Sequence, residues 1–179
     1  RERTSVTEAE LNQMKQLFYE AMKAGAFGIS ANKSMEDRPE DGSLLPSHVA
    51  SDEEYLGLAE VLGQFGVGHI GWTIGIGHTP EQQETQRAML TKMMKISGRP
   101  LHVGLGVGPG LDWLEQSRAE GLPVVAQQGA TPLMAEFTLA EYNLYDFMPN
   151  WVQPLVGSPE ERVAKLRAPE RRVAMKRDV

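Results

Sequence analysis

The side chains that could do chemistry in this sequence are few. They are four histidines, His48, His69, His78 and His102, and a set of hydroxyls and amides beside short apolar runs, chiefly Ser30, Asn32, Gln127 and Gln128. Cysteine is absent, which removes disulfides, thiolate metal sites and a cysteine nucleophile together. No two histidines have the HxH or HExxH spacing of a strong metal motif, and there is no GxSxG elbow. Gly104-Leu105-Gly106-Val107-Gly108-Pro109-Gly110 carries a proline and lacks the GxGxxG register, so it reads as a tight loop and not a dinucleotide cradle. Ser30, Asn32, Gln127 and Gln128 can donate and accept hydrogen bonds but cannot exchange protons near neutral pH. Such groups describe the wall of a small-molecule pocket more than a reactive centre.

The elements that must hold these residues follow from a repeated joint. Four times a helix-patterned stretch reaches a glycine and passes at once into a short apolar run, at Gly25, Gly66, Gly98 and Gly121. A helix that ends on a left-handed residue and turns directly into a buried strand is the αβ joint of a parallel sheet. Thr7-Glu8-Ala9-Glu10 and Ser51-Asp52-Glu53-Glu54 are capping boxes, and Thr79-Pro80 opens a third helix. Strands are expected over 26–30, 68–76, 101–107 and 123–127 or 128. In the second, Ile70, Trp72, Ile74 and Ile76 alternate with His69, Gly71, Thr73 and Gly75, which gives one large apolar face and one small or polar face. The methionines of the third helix read as core filler. A long polar stretch, 31–50, leaves the first strand as a candidate lid or pocket rim, and 129–157 reads as an irregular aromatic and proline-rich segment followed by charged helices. Residues 1–128 thus form four αβ units, with 129–179 packing on them.

Ligands of a parallel α/β protein gather at the carboxyl ends of its strands. His69 and His102 fall at strand beginnings, the wrong end. His78 follows the second strand beside a helix cap and His48 lies in the long loop, so these two join Ser30, Asn32, Gln127 and Gln128 as substrate-binding candidates. A closed (β/α)8 barrel has eight strand–helix units in about 250 residues. Four units in 179 residues are expected to amount to about half of a TIM-like barrel, a piece of something longer.

The formal net charge of −6 and pI near 5.3 oppose nonspecific attraction to nucleic acid or anionic membrane. No apolar run approaches the length of a membrane span and no signal-peptide pattern opens the chain. The default expectation is cytoplasmic, with a small molecule as partner and a homo-oligomer allowed.

Several stretches resemble one family. Thr7-Glu8-Ala9-Glu10-Leu11 and Glu20-Ala21-Met22-Lys23-Ala24-Gly25-Ala26-Phe27-Gly28-Ile29-Ser30 are similar to the N-acyl-D-amino-acid deacylases of the amidohydrolase superfamily. So are Ser97-Gly98-Arg99-Pro100-Leu101, Ala119-Glu120-Gly121-Leu122-Pro123-Val124 and the ending Glu161-Arg162-Val163-Ala164-Lys165-Leu166-Arg167-Ala168-Pro169-Glu170. The resemblance implies a barrel hydrolase, longer than this chain, that splits non-peptide C–N bonds of N-acyl-amino-acid-like substrates. A divalent metal, typically zinc, would act in it as Lewis acid and activate water. The family's HxH pair and late catalytic aspartate have no counterpart here, and no histidine stands near Trp72-Thr73 or Gly104-Leu105, where deacylases of the family place metal ligands. No metal ligand is transferred, no metal is expected in this segment alone, and the segment alone is expected to be inactive. The alternative is a noncatalytic ligand-binding barrel that has lost its metal, and a third reading gives 129–157 a role in oligomer contacts.

Overall fold

A computed structural model describes residues 5–33, 39, 41–74, 78–104, 110–127, 129, 136–141 and 143–179. Helix α1 (Glu8–Lys23) starts on a complete Thr7/Glu10 capping box, and Gly25 follows its last turn with a positive φ. Strand β1 covers Gly28–Asn32. A one-turn helix α2 (Pro46–Val49) precedes α3 (Asp52–Phe65), whose Tyr55, Ala59 and Leu62 join the core. Strand β2 (His69–Thr73), α4 (Pro80–Ser97), β3 (Leu101–Gly104), α5 (Gly110–Ala119) and β4 (Val124–Gln127) complete the alternation. Gly66 and Gly98 close α3 and α4 at φ 63° and 61°, a left-handed turn that lets each helix stop and reverse within two residues. Beyond β4 come α6 (Pro149–Val152), α7 (Pro159–Arg167) and α8 (Pro169–Met175).

The four strands form one parallel sheet in the order β1-β2-β3-β4, as expected. When each strand is added on the same side of the last and every crossover has the same hand, all crossover helices fall on one face. The core shows this. Met22 of α1, Tyr55, Ala59 and Leu62 of α3, Met89, Leu90, Met93 and Met94 of α4, and Leu114 of α5 meet Ile70, Trp72, Leu101, Val103 and Val124 in a single cluster. Leu62, Ile70, Leu90, Met93, Leu101 and Val103 are wholly inaccessible, and such burial contributes about 1.5–3 kcal/mol for each large aliphatic side chain. Trp72 meets the Tyr55 ring edge-on, with centroids 5.0 Å apart.

The other face of the sheet carries Gly28, Ser30 and Asn32, then His69, Gly71 and Thr73, then His102 and Gly104, then Val125 and Gln127. None of these ten residues belongs to the core cluster. Ser30, Thr73, Val125 and Gln127 are exposed, and Val125 retains 41% of its surface. Among the described residues the sheet is therefore covered on one side only.

Element boundaries depart from expectation in consistent ways. Strand β1 begins two residues late, at Gly28, and includes Ala31 and Asn32. Ser30 is thus mid-strand, not at its upper end. The stretch expected as one loop over 31–50 contains the end of β1 and the turn of α2, which proline at its first position starts. Strand β2 ends at Thr73 and β3 at Gly104. Their expected extensions over 75–76 and 105–107 lie outside the described residues. The segment expected as irregular does pack its aromatics: Tyr145 stacks on Trp151 at 4.3 Å and takes Phe137 edge-on at 5.6 Å. The Trp151 Nε1–H donates to the Met175 carbonyl at 3.0 Å, which ties α6 to α8. No helix of the described residues is long and apolar enough to cross a membrane.

Candidate functional site

The register places the expected site residues in two separate groups. On the open face, Asn32 pairs with Thr73, Thr73 with Gly104 and Gly104 with Gln127, so these four make one row at the carboxyl ends of the strands. Neighbouring strands lie about 4.8 Å apart, so Asn32 and Gln127 at the two edges are separated by roughly 14 Å. They cannot grip one small group between them. The row beneath holds Ser30, Gly71, His102 and Val125. Ser30 lies across Gly71, where a Cβ on the glycine would come 3.1 Å from the serine Oγ. Gln128 lies outside the described residues.

His69 and His102 also face this side, at the amino ends of β2 and β3, with ring centroids 5.1 Å apart and planes at 64°. A metal centre of the kind implied by the resemblance needs three or four converging donors. Among the described residues these two imidazoles have no third partner, and no group of three histidines, cysteines or carboxylates is arranged to hold a metal. The described side chains therefore do not fit that centre.

The second group is a cavity of about 320 Å³ at the carboxyl ends of β1 and β2, between the first turns of α3 and α4. It brings His48 and His78 together and adds Lys33, Asp52, Glu81 and Gln86 to them. Local chemistry holds His48, Lys33, Asp52, His78 and Gln86. The Tyr55 hydroxyl donates to the Ser47 carbonyl at 2.8 Å and so anchors the short helix that bears His48. Burial, with the neighbouring Glu54 and Asp52 carboxylates, pushes the Tyr55 phenol up to about 12. Lys33 follows β1 directly, lies 3.5 Å from the Asp52 carboxylate and sits 5.2 Å from the centre of the Tyr55 ring. His78 precedes the Thr79/Gln82 capping box of α4, and its Nδ1 lies 3.3 Å from Gln86 Nε2.

Lys33, Asp52, Glu81 and Gln86 were not candidates on sequence grounds. Gln86 could have been one, because it stands three residues before Met89 and four before Leu90 on the buried stripe of α4. A lone amide on an apolar face needs a polar partner inside the protein. Asp52 and Glu81 resemble ordinary first-turn carboxylates, and nothing local distinguishes them.

Fold and site together define a parallel α/β segment wound in one direction, with a polar open face and a separate cavity between its helices. No family model matches the chain, and no curated protein or solved structure matches it significantly.

Proposed function

We propose that this chain is the central segment of an amidohydrolase-type (β/α)8 barrel that hydrolyses the amide bond of N-acyl-amino-acid-like substrates. The observation that supports this most is the one-sided sheet. Four parallel strands in sequential order, with α1, α3, α4 and α5 packed on the same face, are the arrangement a barrel requires, because the opposite face becomes its interior once further strands close the ring. The small and polar residues on that face suit an interior that narrows around a substrate.

In a closed barrel a divalent metal, zinc by the resemblance, would supply activated water, held by ligands outside the described residues. No step is assigned to the metal through this segment. The part given to this chain is binding. Asn32 and Gln127, at the carboxyl ends of β1 and β4, offer amide donors and acceptors to the polar ends of the substrate from two sides of the mouth.

The test is turnover by a longer natural chain that includes the remaining strands, assayed with zinc on N-acetyl-amino acids of both configurations. Hydrolysis is expected there and none from the 179-residue chain. Asn32→Ala and Gln127→Ala should each lower kcat/KM about tenfold, the equivalent of one lost hydrogen bond of about 1.4 kcal/mol. A longer chain that binds these substrates without cleaving them would replace the hydrolase by a noncatalytic binding barrel.

A further inference from the structure

We propose that the cavity between α3 and α4 binds a small organic cation, an alkylammonium or guanidinium group on a short apolar stem. The cavity shares no lining residue with the open face of the sheet, so this reading stands independently of the hydrolase. Its volume of about 320 Å³ lies at the small end of ligand sites.

Gln86 is only 6% exposed. One end of its amide meets His78 Nδ1, and the other, Oε1, is buried with no hydrogen-bond partner among the described residues. If oxygen and nitrogen exchanged places, one end would still be satisfied by His78 and the other left without a partner. With the amide as placed, Gln86 donates to Nδ1, so a neutral His78 carries its proton on Nε2. The orphaned group is then an acceptor, and a buried acceptor favours a ligand that brings N–H.

Charge selects the sign of the ligand. Asp52 and Glu81 contribute two carboxylates to the lining against the single ammonium of Lys33, which is already beside Asp52 and the Tyr55 ring. Among the described residues no ion pair engages Glu81. The positive end of α4 does not call for an anion, because Gln82 N–H donates to the Thr79 hydroxyl at 3.2 Å and Glu81 occupies the first turn. Met89, 2% exposed, supplies an apolar surface for the stem. The arrangement therefore offers an acceptor and negative charge at one end and hydrocarbon at the other.

The experiment is an NMR titration of the protein with n-butylammonium chloride, alongside butyrate and 1-butanol as isosteric anionic and neutral probes. Saturable shifts of the His78 ring and Gln86 side-chain amide signals are expected with butylammonium and not with butyrate. Gln86→Leu should weaken binding about tenfold by removing the acceptor. Glu81→Gln, an exposed position that leaves the core untouched, should weaken it about threefold and provides the test if the Gln86 variant does not fold. Butyrate binding as tightly as butylammonium, an affinity unchanged by Glu81→Gln, or no saturable response to butylammonium would each overturn the proposal.

Discussion

Gly28→Ala is expected to abolish the stable fold, with a loss of about 4 kcal/mol or more, at the extreme of single substitutions. Gly28 has φ 134°, where a side chain is strained whatever the space around it. It also faces the backbone of β2. A Cβ built there falls 2.8 Å from His69 N and closer still to the His69 carbonyl oxygen. The neighbour cannot yield, since Gly28 pairs with His69 in the sheet and His69 N–H donates to the Phe27 carbonyl at 3.0 Å. Relief would require β1 to separate from β2, and the whole stability of a domain this size is only about 5–15 kcal/mol. Gly66→Ala is the control. It also has positive φ, but nothing lies within 4 Å of its added Cβ, so the cost there is only the left-handed strain of about 1–2 kcal/mol. Urea unfolding followed by circular dichroism separates the two, and a Gly28→Ala midpoint equal to that of Gly66→Ala would show that β1 does not press on β2 in this way.

The second large effect is confined to alkaline solution. Tyr55 has its pKa pushed up to about 12 from 10, so between those values the unfolded chain releases a proton that the folded protein retains. Stability from this group is full below pH 10 and is lost as pH rises through 12. Two pKa units correspond to about 3 kcal/mol. Tyr55 is 5% exposed, so solvent does little to screen the effect. Tyr55→Phe removes the hydrogen bond to Ser47, costing about 1 kcal/mol at pH 8, but it removes the titration too. The wild type should be the more stable at pH 8 and the less stable near pH 12, as read from urea midpoints across that range. A difference of constant sign throughout would mean that the phenol titrates freely in the folded state.

How much of this was legible in the sequence depended on whether the cause was local. The joints at Gly66 and Gly98, the capping boxes and the apolar alternation of Ile70 with Trp72 are set by neighbours in the chain, and they gave the strand order and the covered face correctly. The start of β1 was misplaced because it is fixed across the sheet. Ala26 and Phe27 have strand-like composition, yet Phe27 is 82% exposed, and pairing begins only where Gly28 can approach His69. The site divided for the same reason. Asn32 and Lys33 are adjacent in sequence, but Asn32 belongs to the row shared with Gln127 and Lys33 to the cavity with His78. Grouping His48 and His78 with Ser30 and Gln127 by strand end alone could not reveal that division.

The central claim is that the open face of the sheet is the inner wall of a larger barrel. These 179 residues contain no cysteine, so the direct measurement is the rate of thiol modification of Val125→Cys on that face in this chain and in a longer natural chain carrying the remaining strands, with any cysteine of the added residues replaced by serine. Lys92→Cys on the exposed side of α4 serves as the reference. The account predicts that both cysteines react freely in the short chain, and that in the longer chain Val125→Cys alone slows by about 100-fold or more, because a buried thiol reacts only through local opening. If Val125→Cys reacts as fast in the longer chain as in the short one, the face remains open and the barrel reading fails.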